Sequence, residues 1–541
     1  MLKVTNLSLQ FGKRTLFDEV NIGFAKGNCY GVIGANGAGK STFLKILSGE
    51  IDSTSGFVSI EKGARVAVLR QDHFAYDRST VLDTVIMGHA TLYAVRKELD
   101  EIYLKPDFSE ADGVRAGDLN AEFEEMGGWN AESDAAGLLS NLGVTENLHT
   151  KLMSAINTNE KVRVLLAQAL FGNPEILLLD EPTNDLDAET ILWLEDFLAD
   201  YKNTVIVVSH DRHFLDAVCT HIADVDRKKI TLFTGNYTFW YESSQLATRQ
   251  MADKNKKTEQ RRKELMEFIQ RFSANASKAR QATSRKKALE KLNIEQIQPS
   301  TRRYPSIVFK QQREIGDQIL TVNGLSASVD GVALFDKISF SIERGDKVAF
   351  LSKNSLAITR FFEILAEERQ PAKGDIEWGV TTFRSYLPNE NAKYFKGENN
   401  LVDWLRQYSE EKDETFIRGF LGRMLFSGEE TQKMSNVLSG GEKVRCLLSK
   451  IMLEEGNVLI LDEPTSQLDL ESITKFNEAL IEFPGIVLFS SHDHQFVHTI
   501  ANRIIEITPS GVINRLMSYD EYLKNETIKT LRERMYSKTS V

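Results

Sequence analysis

Short, almost wholly apolar runs punctuate this chain, and they come in two matching sets. Tyr30-Gly31-Val32-Ile33, Ile176 to Leu179 and Val205 to Val208 show no polar alternation. Runs of that length predict strands buried on both faces, as in a parallel sheet. A glycine-rich loop follows the first, Asp180-Glu181 follows the second, and Ser209-His210-Asp211 follows the third. Arg65 to Asp72 alternates and predicts a further strand, whereas Ser41 to Leu47 and Val164 to Leu170 predict helices. The pattern is α/β.

The order then repeats. Glu442, Asp462 and His492 each stand 282 positions after Glu160, Asp180 and His210, while Ile358 and Asn389 stand 318 after Lys40 and Gln71. The difference places 36 extra residues in the first half, about Thr91 to Gly127, within a helical stretch. Two domains are predicted, 1–241 and 307–541, joined by a linker at 242–306. Leu265, Phe268, Ile269 and Phe272 keep helical spacing in that linker, no glycine occurs from 251 to 303, and its first proline is Pro299. It reads as a helical hairpin turning near Ser273 to Ala279.

Charge sharpens the picture of the linker. Residues 251–303 hold fifteen Lys and Arg against six acids, about +9, in a chain of net charge −11. A local basic element on an otherwise acidic protein suits contact with phosphates, although charge runs are also found as plain solvated surface. The insertion has the opposite bias, ten acids against four bases, and reads as a protein-contacting arm or a spacer. No run approaches the ~18 apolar residues of a membrane span, and the N-terminus lacks a signal-peptide pattern. Cys29, Cys219 and Cys446 have no metal-ligand spacing and read as buried thiols of a reducing cytoplasm.

The chemistry begins at Gly34 to Thr42, GANGAGKST, which fits the phosphate-binding pattern G-x-x-x-x-G-K-[ST] between a strand and a helix. Gly34, Asn36, Gly37 and Gly39 let successive N–H groups face phosphate oxygens, and the helix N-terminus adds partial positive charge. Lys40 can reach the β- and γ-phosphates, and the Ser41 hydroxyl, followed by Thr42, can hold Mg²⁺.

With this loop, the sequence LSGGE from Leu438 to Glu442, two strands ending in Asp-Glu-Pro-Thr and two downstream histidines, the chain resembles the ATP-binding cassette superfamily. Paired cassettes and a basic helical linker are similar to its ABC-F branch of ribosome-associated translation factors, most of all the YbiT-like group. The resemblance implies two tandem P-loop ATPase domains pairing head to tail within a monomer. One ATP site would combine Gly34–Thr42 with Ser439, Gly440, Gly441 and Glu442 of the other half. In it Phe11 would stack on adenine, and Gln71 and Asp180, with Ser41, would hold Mg²⁺. Glu181 would polarise the attacking water, and His210 would contact the γ-phosphate. The linker text from Arg271 to Leu292 is similar to the P-site tRNA interaction motif of that branch, which implies RNA contacts by Arg271, Asn275, Lys278, Arg280, Arg285 and Lys286.

The second site is expected to be degenerate. Its loop would be Ser352 to Arg360, with Ile358 where the lysine should be, Val329 in place of Phe11 and Asn389 in place of Gln71. The signature facing it, Ile156 to Glu160, lacks Ser-Gly-Gly. Asp462, Glu463 and His492 persist there, so one working and one worn ATP site are predicted. Two other readings share these motifs: an ATPase subunit of a transporter whose membrane domains are separate chains, and a DNA-associated cassette protein. The first leaves the basic linker unexplained, and the second lacks zinc modules and long coiled coils.

Overall fold

The computed structural model describes residues 1–12, 14–70, 72, 74–184, 186–272, 284, 286–287, 289, 302–329 and 332–537. Among the described residues the first half contains nine strands: β1 (Leu2–Phe11), β2 (Arg14–Phe24), β3 (Cys29–Gly34), β4 (Ser55–Ile60), β5 (Val66–Val68), β6 (Ile176–Asp180), β7 (Thr204–Val208), β8 (His221–Asp226) and β9 (Lys229–Thr234). An antiparallel sheet has the order β2-β1-β4, and a six-stranded sheet has the order β5-β6-β7-β3-β8-β9. β5, β6, β7, β3 and β8 run parallel, and β9 closes the edge antiparallel to β8. β3 and β7 are buried along their whole length, as expected where helices cover both faces of a parallel sheet.

The second half repeats this at two fixed offsets. β10 (Leu320–Val329), β11 (Val332–Ile342), β12 (Lys347–Leu351), β13 (Lys373–Trp378) and β14 (Arg384–Leu387) follow the offset of 318; β15 (Val458–Asp462), β16 (Ile486–Ser490), β17 (Arg503–Thr508) and β18 (Gly511–Arg515) follow that of 282. Their sheets have the corresponding orders, β11-β10-β13 and β14-β15-β16-β12-β17-β18. The β-bridge Thr80–Leu152 recurs as Asn400–Met434. Between those first two residues lie helices Ala90–Tyr103 and Glu110–Glu125, which pack on each other and have no counterpart in the second half. Ser109 caps the second of them, exchanging hydrogen bonds with Asp112.

A single helix, Tyr237–Phe272, leaves the first half and carries the start of the basic segment, so the expected boundary at 242 falls inside a continuous helix. The proposed turn beyond Phe272 lies outside the described residues. Cys29 and Cys219, distant in sequence, meet with their Sγ atoms 3.9 Å apart, and all three cysteines are buried and free. No described helix is long and apolar enough to cross a membrane. Between the halves, His213 stacks on His494 with ring centroids 3.9 Å apart, and Leu470 of the second half is buried in the core of the first.

Candidate active site

The parallel register sets the C-terminal ends of β3, β6 and β7 side by side, with Asp180 opposite Val208 and Val32 opposite Val208. Loops leaving that edge therefore converge, as ligand loops do in open α/β sheets. Gly34 ends β3 and helix Lys40–Leu47 begins six residues later. Gly39 has φ 102°, and a Cβ there would lie 2.9 Å from the Phe17 ring, so only glycine fits this turn. Arg14 braces the tip by donating to the Gly37 carbonyl at 2.7 Å. Phe11 pairs with Arg14 across the β1–β2 hairpin, and its ring is about half exposed.

Lys40 is buried, with Nζ 2.8 Å from the Gly34 carbonyl oxygen and 3.5 Å from that of Ala35. Burial lowers its pKa against the opposing pull of Glu181, Glu471, Asp469 and Asp180. Glu181 follows β6 with φ 51°, an uncommon conformation for a residue with a side chain and a kind of strain found at functional sites. The His210 N–H donates to Glu181 Oε2 at 3.2 Å, and His210 Nε2 lies 3.4 Å from Oε1. Burial, helped by the neighbouring Asp180, pushes the Glu181 carboxyl up to about 8. Burial and the Lys40 charge push His210 down to about 3, so its ring is neutral.

Asp180 is also raised, by burial above all, while the Ser41 hydroxyl donates to it. Its Oδ1 is buried without a hydrogen-bond partner. An orphaned carboxylate oxygen beside a hydroxyl fits a hard cation that takes oxygen ligands, so Ser41 and Asp180 suit Mg²⁺. Gln71 lies outside the described residues.

These shifts carry a pH prediction. The Glu181 pKa in the folded chain lies above its ordinary 4.5, so the group's contribution to stability is complete below 4.5 and is lost as pH rises through about 8. Glu181→Gln is therefore expected to raise the melting temperature of the nucleotide-free chain by a few degrees at pH 8 to 9, with no difference near pH 4.5. Thermal melts across that range check it, and an equal effect at both ends would contradict the shift.

The second half supplies the opposite wall. Ser439 caps helix Gly440–Glu454, and its own N–H donates to the Glu442 carboxylate at 2.9 Å. Glu442 also pairs with Lys433 at 2.7 Å, so its side chain serves the helix end. Ser439, Gly440 and Gly441 thus present a helix N-terminus, and a Cβ on Gly441 would stand 3.7 Å from Asn36 Nδ2 of the first-half loop. A cleft of about 840 Å³ runs between the halves, lined by Asn36, Lys40, Ser41, Thr42, Glu181 and His210 on one side and by Gln467 and Leu468 on the other.

The same cleft continues to Asn159 and Arg163 of the first half and Ser352, Asn389, Glu463 and His492 of the second. Here the back wall matches the first site. Glu463 has φ 46°, the His492 N–H donates to its Oε2 at 3.2 Å, and His492 Nε2 lies 3.5 Å from Oε1. Asp462 takes a hydrogen bond from the Ser490 hydroxyl at 3.1 Å and is pushed up to about 7, mainly by burial. The front wall has gone. Helix Ser355–Leu365 begins three residues before Ile358, the counterpart of Lys40 with which the first-half helix begins. Asn354 caps it, no residue from 352 to 360 has a positive φ, and Ile358 is buried in the apolar core. The worn site lacks the loop itself as well as its lysine.

Of the proposed RNA-contacting residues, Lys286 is described and exposed, and Arg271 is placed by its backbone in helix Tyr237–Phe272. Asn275, Lys278, Arg280 and Arg285 lie outside the described residues. Sequence reasoning missed Arg14, whose place one tight turn after Phe11 was the available signal, and Gln467, which faces the first site from the loop between Glu463 and Asp469.

A model of the family described as ABC transporter matches residues 17–184 and 335–466, and a second model with that description matches 223–309. The uncharacterized ABC transporter ATP-binding protein YkpA of Bacillus subtilis (strain 168) is 59% identical over 99% of this chain and 100% of its own length. The probable ATP-binding protein YbiT of Escherichia coli O157:H7 is 43% identical over 98% of this chain and 100% of its own. Among solved structures, the complex of archaeal ribosomal stalk protein aP1 and archaeal ribosome recycling factor aABCE1 contains a chain with TM-score 0.60 at 16% identity, covering 98% of each chain.

Proposed function

This chain belongs to the ABC transporter family of ATP-binding proteins and is an ATPase, and from that premise we propose that it is a cytoplasmic ABC-F translation factor. In this reading ATP clamps the two cassettes, and the linker contacts ribosomal RNA and the P-site tRNA. The observation that carries it is the cleft that sets Lys40, Ser41, Glu181 and His210 of the first half against Gln467 and Leu468 of the second, together with a basic helix that grows directly out of the first cassette. Likeness to YbiT over nearly the whole chain supports the branch. The fold is also one used by a protein described as a ribosome recycling factor.

Hydrolysis in this reading uses the first site. The phosphate loop and Lys40 hold the phosphates, while the Gly440–Glu454 helix end and Gln467 close the site from the other cassette. Mg²⁺, held by Ser41 and Asp180, would neutralise charge on the β- and γ-phosphates. The oxygen of a water oriented by Glu181 bonds to the γ-phosphorus as the bond to the β-γ bridging oxygen breaks, and ADP leaves. Glu181 acts in its ionised form, which its raised pKa makes the larger fraction above about pH 8, and takes the water's proton; neutral His210 can donate a hydrogen bond to the γ-phosphate from one ring nitrogen.

Co-sedimentation with 70S ribosomes tests the proposal. Glu181→Gln with ATP is expected to pellet with ribosomes, and adding Arg280→Glu, Arg285→Glu and Lys286→Glu should weaken binding at least about tenfold and flatten its salt dependence. Absence of binding under every nucleotide condition would sink the ribosome reading and favour a transporter subunit.

A further inference from the structure

Two arginines cross between the cassettes in the same way from unrelated parts of the chain. Arg302, near the end of the linker, grips Asp224 of β8 with Nη1–Oδ2 3.0 Å and Nη2–Oδ1 2.5 Å, and its Nε lies 2.6 Å from Glu471 Oε1 of the second cassette. Its guanidinium also sits 4.7 Å above the Trp240 ring. Arg532, on the C-terminal helix Glu526–Ser537, bonds Glu506 of β17 at 3.0 Å and reaches across to Glu189 of the first cassette at 2.5 Å. Glu506 and Glu471 stand at the repeat offset of 282 from Asp224 and Glu189. The arginines are 230 residues apart, so the repeat does not relate them. The molecule makes one cross-cassette contact twice, by different routes.

The two contacts differ in setting. The Arg302 side chain is 8% exposed and that of Glu471 6%, whereas Glu189 is 55% exposed. Removing the one guanidinium that two carboxylates share would leave both acids uncompensated at a largely buried place. Glu471 lies in the first turn of helix Leu470–Glu482, which Asp469 caps, directly after the loop that carries Gln467 and Leu468 into the ATP cleft. Arg302, Glu471 and Leu470 line a small space together with Ile33, the residue before Gly34. Glu471 and Asp469 are both close enough to Lys40 to act on its charge.

We infer that Arg302 is a positioning residue for the ATP site: anchored to the first cassette by Asp224 and Trp240, it holds Glu471, and with it the Gln467–Asp469 loop, in register with Lys40. This rests on the composite-site reading. The guanidinium suits the task because its planar fork grips one carboxylate with two nitrogens and leaves a third for the other. Arg532 ties the cassettes where no phosphate loop remains, and so does not position a reacting nucleotide.

The test uses the full chain and measures kcat and KM for ATP, ADP affinity, and the melting temperature without nucleotide. Arg302→Gln is expected to lower kcat about tenfold while ADP affinity, which depends on the first cassette alone, stays within about twofold. Arg302→Lys should recover only part of the loss. Glu471→Gln should lower kcat in the same direction, and the double variant should be no worse than the poorer single, because the two residues act as one unit. Multiplying losses in the double variant, or an equal loss of ADP affinity, would overturn the inference. So would an equal loss in Arg532→Gln, since that would mark general loosening of the interface. Should Arg302→Gln fail to fold, Glu471→Gln decides, and wild-type kcat in it overturns the proposal. Retained turnover in Glu181→Gln would instead sink the composite-site reading itself.

Discussion

Glu181→Gln is expected to cut ATP turnover by at least about a hundredfold while leaving ATP bound. Glutamine keeps the shape of the side chain and can still accept the His210 N–H, which lies 3.2 Å from the carboxylate. What it loses, in the proposed mechanism, is a group that can ionise to orient and deprotonate the attacking water, a transition-state interaction of the size that costs ~10²–10³ in rate when removed. Glu463→Gln is the informative partner. Glu463 has the same left-handed backbone and the same histidine contact, so local geometry alone would rank the two glutamates equal. The missing phosphate loop in front of Glu463 breaks that tie, and its exchange should change turnover by less than about twofold. Phosphate release and retained ATP by filter binding measure both variants, and matched losses would rule out a one-site enzyme.

The second large effect is expected from Gly441→Ala, in the cassette that does not hold the working phosphate loop. An added Cβ would stand 2.6 Å from the Gln467 carbonyl oxygen, a contact real Cβ atoms do not make, so the Ser466–Asp469 loop must move. That loop lines the cleft opposite Lys40. Helix propensity pulls the other way, because alanine within a helix is better than glycine by up to ~1 kcal/mol. The expected result is a melting temperature unchanged or slightly raised, with turnover down at least about tenfold. Full activity would show that the Gly440–Glu454 helix end does not close the site.

Much of the site was legible because its chemistry demands neighbouring residues. A loop that wraps phosphate needs its glycines, lysine and serine in one run, and Asp180-Glu181 must end a buried strand, so the text from Gly34 to Thr42 and from Ile176 to Glu181 announced both. The constant offsets of 282 and 318 then aligned the halves, and β1 with β10 and β6 with β15 follow those offsets. Contacts between distant segments were not legible. Arg302 counted only as one more positive charge in a basic run, since its partner Asp224 is 78 residues away and nothing local marks the pairing. Cys29 and Cys219 read as unrelated thiols for the same reason. The fate of the worn loop was half visible: losing its glycines removes the phosphate cradle, but Ser355-Leu356-Ala357 also have no reason to avoid a helix, and the chain winds them into one.

Helix Tyr237–Phe272 rises out of the first cassette without a break for 36 residues, about 54 Å at the α-helical rise. Trp240 sits in its first turn, beneath the Arg302 guanidinium. Such a helix is a lever pivoted at the cassette, and a tilt of ~10° at Trp240 would sweep its far end through about 9 Å, given that length. A sub-ångström shift beside the nucleotide would leave the distant tip nearly still, whereas rotation of the base by a few degrees would be magnified into a displacement larger than a nucleobase stacking step.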